Sequence, residues 1–77
     1  MTDVVVRLHG GLERWTGSAG PLMVELQPGS SLLALQDRLG IPRGEVGLFL
    51  VDGEVCHEAD VPGAGAQIQL YPLFGGG

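Results

Sequence analysis

Apolar positions recur along this chain in two different periods, and the change of period marks the elements. In "DVVVRLHGG" the alternation puts Val4, Val6 and Leu8 on one face and Val5, Arg7 and His9 on the other, which predicts a strand closed by Gly10-Gly11. "GGLERWTG" has glycines at both ends and Leu12 three residues before Trp15. It predicts one or two helical turns that dock both side chains on the same side. "LMVELQPG" alternates again, with Leu22, Val24 and Leu26 inward and Met23, Glu25 and Gln27 outward. The period then lengthens in "PGSSLLALQDRLGIP", where Leu32, Leu35 and Leu39 share a helical face. Ser30 or Ser31 caps its start, Gly40 supplies a left-handed terminator, and Pro42 prevents continuation.

The second half returns to strands. "EVGLFLVDGEVCHEA" reads as two strands around Asp52-Gly53, a dipeptide favoured in tight hairpins because both residues tolerate positive φ. With Leu48 and Leu50 placed in the core, alternation turns Phe49 outward, where an exposed aromatic would suit a partner surface. "DVPGAGA" is a glycine-rich loop, and "AQIQLYP" is a last strand with Ile68 and Leu70 inward, Gln67 and Gln69 outward, ended by Pro72. The expected fold class is α+β, with one main helix on one face of a four- to five-stranded mixed sheet. Residues 1–72 make the domain, and residues 73–77 form a flexible C-terminal tail.

Composition narrows the functions this layout can serve. At 77 residues, with 44% apolar content, the chain is one domain that buries about 60% of its unfolded surface. No apolar run approaches the roughly 20 residues needed to cross a bilayer. Met1-Thr2-Asp3-Val4 lacks the basic and apolar segments of a secretion signal, so the expected location is cytoplasmic. Nine carboxylates against four arginines, with no lysine, give a net charge of -5. That charge repels phosphate backbones, so neither nucleic acid nor an anionic membrane is the expected partner. A basic protein surface is.

Candidate chemistry is scarce in the body of the chain. Cys56 is the one cysteine, with no lysine or metal cluster to activate its thiolate, and reads as a small packed or half-exposed residue. His9 and His57 have no ligand spacing, so no metal site is expected. Gly63 and Gly65 are followed by neither a lysine nor a helix start, and read as turn residues rather than a phosphate loop. No nucleophile with a base and no carboxylate pair is present, so the chain is not expected to be an enzyme. What remains is "LFGGG". Glycines at a chain end cannot stabilise a fold, because they lose the most backbone freedom on ordering. Extended at about 3.3 Å per residue, this segment reaches about 13 Å beyond Leu73, far enough to enter another protein's active site.

"VRLHGGLERWTG", "LGIPRGEVGLFLVDGEV" and the terminal "GGG" together resemble the small sulfur-carrier proteins of the ubiquitin-like β-grasp superfamily. These include the small subunit of molybdopterin synthase and the thiamine-thiazole sulfur carrier. The resemblance covers the whole chain and implies a β-grasp fold with the first and last strands side by side in mid-sheet. It also implies the chemistry of the tail. A partner adenylating enzyme uses ATP-magnesium to activate the Gly77 carboxylate, a persulfide donor displaces AMP, and reductive cleavage leaves a thiocarboxylate for a sulfur-accepting synthase. The carrier itself binds no cofactor.

In this reading Gly77 carries the sulfur, while Gly75 and Gly76 let the tail pass where a Cβ would obstruct it. Leu73 and Phe74, with Phe49, would contact the partner. "RLHGGLERWTG" is similar to the opening of the molybdopterin-pathway carriers, which implies molybdenum or tungsten cofactor biosynthesis. The chain departs from them in having His9 where an aromatic is usual and "YPLF" before the glycines. A thiamine-thiazole or other sulfur-transfer pathway, a ubiquitin-like modifier of target lysines, and a non-covalent β-grasp binding module are the alternatives.

Overall fold

The structure is a computed structural model and describes residues 2–73. Strands β1 (Thr2–Leu8) and β2 (Leu22–Leu26) pair antiparallel, with Val4 opposite Val24 and Val6 opposite Leu22. A 3-10 turn, Leu12–Trp15, lies between them. Helix α1 (Leu32–Arg38) leads to β3 (Val46–Val51), β4 (Glu54–Cys56) and β5 (Gln67–Pro72). The five strands form one sheet in the order β2-β1-β5-β3-β4, in which β1 and β5 run parallel and the other pairs are antiparallel. The first and last strands therefore lie side by side within the sheet, as expected of a ubiquitin-like β-grasp.

The helix is held at both ends by its own sequence. Ser31 Oγ accepts the Ala34 N–H at 3.2 Å, so Ser31 is the cap. Gly40, at φ 77°, turns the chain out. The 13-atom helical pattern leaves carbonyls unpaired at this end, and Gln36 supplies a donor for the turn that follows. Its side chain is 3% exposed, and its Nε2 donates to the Pro42 carbonyl at 2.9 Å. Leu32 and Leu35 are fully buried on the helix side of the sheet with Val4, Val6, Ile68 and Leu70. Each such side chain contributes about 1.5–3 kcal/mol on leaving water. The Asp52-Gly53 hairpin has positive φ at both residues, 50° and 86°, as the dipeptide predicts. Among the described residues no helix is long and apolar enough to cross a membrane.

Two expectations are corrected. Phe49 is not an exposed aromatic: it is buried, at 6% exposure, opposite Leu70 on β5 and Cys56 on β4. The physical reason is a shift of register between Val46 and Leu48. An extra residue in a strand reverses the parity of every side chain beyond it. Val46 packs against the core, Leu48 and Leu50 turn to the open face, and Phe49 and Val51 turn inward. The second correction concerns the 3-10 turn, whose Leu12 is buried while Trp15 is 38% exposed. The Arg14 guanidinium sits 5.1 Å from the Trp15 ring centre, a cation–π arrangement at the surface.

Candidate functional site

The seam where β5 ends is built by three segments. β5 is bonded on one side to β1 as far as Leu70 and on the other to β3 as far as Pro72. His9 N–H donates to the Leu70 carbonyl at 3.0 Å, and Leu73 N–H donates to the Glu45 carbonyl at 3.3 Å. Glu45 also accepts a hydrogen bond from Arg14 Nη2 at 2.9 Å, tying the 3-10 turn to the same corner. Leu73, expected to contact a partner, is 60% exposed. Phe74, Gly75, Gly76 and Gly77, the rest of that expected site, lie outside the described residues.

Beside the seam lies the face of the sheet opposite the helix. Residues directly opposite in a ladder share a face, which places Leu48 with Tyr71, and Leu50 with Gln69 and Val55. His9 stacks on Tyr71, with ring centres 4.4 Å apart and planes within 8°. His9 Nε2 donates to Gln69 Oε1 at 2.9 Å. Arg7 Nη1 donates to Gln67 Oε1 at 3.2 Å. Val55 is 70% exposed, and Met23 on β2 is 74% exposed. The face thus offers apolar side chains around the hydrogen-bonded amides of Gln67 and Gln69, and it adjoins the end of β5.

Sequence reasoning assigned the aromatic of β3 to this face and missed its real occupants, Leu48, Leu50 and Val55. Gly47, a glycine inside a strand, was the available signal, since such glycines often mark a bulge.

Asp37 and Arg43 form a second surface ion pair. Arg43 donates to both Asp37 carboxylate oxygens, at 2.9 Å and 3.4 Å. That hydrogen bonding holds the Asp37 carboxyl below its ordinary range, with the charge attraction of Arg43 adding and desolvation opposing. Arg43 is pushed up by the same contact. Both side chains are exposed, so the pair contributes little to stability. Among the described residues no three His, Cys, Asp or Glu side chains gather to hold a metal ion.

The sequence matches the Mut7-C ubiquitin family over residues 1–76. The chain belongs to that family. Two solved structures share the fold. The small archaeal modifier protein 1 of H. volcanii superposes with a TM-score of 0.75 at 17% identity, covering 94% of this chain and 98% of that one. The structure titled SAMP1, from Haloferax volcanii, gives 0.75 at 19% identity, covering 97% and 99%. At these identities the likeness establishes the ubiquitin-like β-grasp fold. No curated protein sequence matches the chain.

Proposed function

We propose that this protein is a sulfur carrier whose Gly77 carboxylate is adenylated by a partner enzyme and converted to a thiocarboxylate. The observation that carries the reading is the junction of fold and sequence. A central strand, paired with β1 as far as Leu70 and with β3 as far as Pro72, ends at Pro72, and the sequence then runs Leu73-Phe74-Gly75-Gly76-Gly77. A carboxylate is a poor acyl donor at neutral pH. Its oxygen therefore attacks the α-phosphate of ATP-magnesium in the partner and releases pyrophosphate. The outer sulfur of a persulfide then attacks the acyl carbon and expels AMP. A second thiol cleaves the resulting acyl disulfide, leaving the thiocarboxylate on Gly77 and a disulfide on the donor.

Gly75 and Gly76 provide passage without a Cβ, and Leu73 and Phe74 contact the enzyme. The open face with Leu48, Leu50 and Val55 is the docking surface, and the net charge of -5 favours a basic enzyme surface around it. Molybdopterin biosynthesis is the pathway we assign, on the resemblance of "RLHGGLERWTG" to its carriers.

The test is incubation with the cognate adenylating enzyme, ATP-magnesium and a persulfide donor, followed by intact mass and pyrophosphate release. A gain of about 16 Da, oxygen replaced by sulfur, is expected, and Gly76→Val blocks it. A native tail that acquires neither AMP nor sulfur sinks the proposal.

The likeness to a small archaeal modifier supports a second reading, in which the same activated glycine forms an isopeptide bond on target lysines. With no lysine of its own, the protein could not build lysine-linked chains of itself. A ladder of high-mass conjugates in place of the small mass gain would favour this reading.

A further inference from the structure

Two glycines at the seam differ from the turn glycines in what excludes their side chains. Gly11, Gly17, Gly29, Gly40, Gly44, Gly53 and Gly65 have positive φ and open space where a Cβ would go. Gly47 has the opposite character. Its φ lies outside the left-handed region, so its backbone suits any residue, yet a methyl there would sit 2.9 Å from Leu73 Cα and 3.0 Å from the Pro72 carbonyl oxygen. Gly10 has φ 62°, and a methyl on it would meet the Pro72 ring at 2.5 Å. The 3-10 side of the corner and the start of β3 thus close on Pro72 and Leu73 from two directions. The core gains nothing from this closeness, because Leu73 is largely exposed, and glycine inside a strand weakens it.

We propose that Gly10 and Gly47 are positioning residues for the tail, their missing side chains seating Pro72 and Leu73 and so fixing the point from which the tail departs. The inference rests on the carrier reading and adds to it the determinant of where the reactive carboxylate arrives. An acyl group held in the right place reacts as part of a unimolecular complex, and a displacement of about 1 Å can cost about a hundredfold in rate. Docking through the open face is unaffected by such a displacement. Leu73 is itself an enzyme contact in the carrier reading, so the signature is a fall in kcat that exceeds any rise in KM from its displacement.

The experiment compares Gly47→Ala with Gly63→Ala, whose site has neither positive φ nor any neighbour within 4 Å. Adenylation kinetics, melting temperature and amide NMR are measured on the full chain. For Gly47→Ala we expect a displaced Leu73 amide resonance, core resonances in place, kcat down about tenfold or more, and KM for the carrier changed less than about threefold. Gly63→Ala should match wild type. Gly10→Ala should also lower kcat, and adding Pro72→Ala, which removes the ring atoms in the way, should restore part of it. Wild-type kcat despite a displaced Leu73, or a defect confined to KM, overturns the proposal. So does an unfolded Gly47→Ala together with no rescue of Gly10→Ala. If the wild-type chain is never adenylated, the carrier reading falls with the kinetic claim, while the Leu73 resonance still decides whether Gly47 seats the chain.

Discussion

Truncating Phe49 to alanine separates the two places its ring could be. In the structure the ring is 6% exposed, lying between Leu70 of the central strand and Cys56 of the edge strand. Removing a buried aromatic ring costs about 3–5 kcal/mol, less where the surroundings can collapse into the gap. One neighbour here is β4, only three residues long and at the edge of the sheet, which argues for the lower end, about 3 kcal/mol. A chain of 77 residues has a total stability of about 4–12 kcal/mol, so this is a large share. At about 4–8 °C per kcal/mol for a domain of this size, the melting temperature should fall by about 12–24 °C. Thermal unfolding followed by circular dichroism reads this directly, with Val55→Ala as the exposed control expected within about 0.5 kcal/mol of wild type. A Phe49→Ala protein that melts within about 4 °C of wild type but no longer binds its partner would refute the inward placement. It would return Phe49 to the interface.

Val55→Asp should weaken complex formation with the activating enzyme by about tenfold or more while leaving the melting temperature nearly unchanged, because it puts a charge beside Leu50 on the apolar docking face. Unchanged affinity in a calorimetric titration would remove the open face from the site. For Asp37, whose carboxyl is held low by Arg43, the sign of the linkage is that of a depressed acid. Its contribution is present above the unfolded pKa and is lost as pH falls through the lower folded value. An NMR titration should place Asp37 below the ordinary aspartate range, and Arg43→Gln should bring it back. An Asp37 pKa unmoved by Arg43→Gln would show that the ion pair does not form in solution.

Much of this protein is legible in its one-dimensional pattern, because the determinants concerned are local. Alternation in "DVVVRLHGG", "LMVELQPG" and "AQIQLYP" set the inward faces of β1, β2 and β5, since side-chain direction in a strand repeats every two residues. Ser31, Gly40 and Pro42 bounded α1 through backbone groups within a few positions of each, and Asp52-Gly53 chose its turn by its own φ preferences. The glycine run of the tail suggested its candidate chemistry only together with the β-grasp resemblance of the segments before it. The face of β3 was not readable in this way. "GLFLV" has no polar residue to mark a side, so its parity depends on where the strand slips against β5, and that is decided by pairing with residues about twenty positions away. The seam depends on still longer separations: Gly10 against Pro72, and Glu45 against Leu73. Whether a glycine frees a turn or makes room for another segment follows from what packs over it, and only the closed sheet brings those segments together.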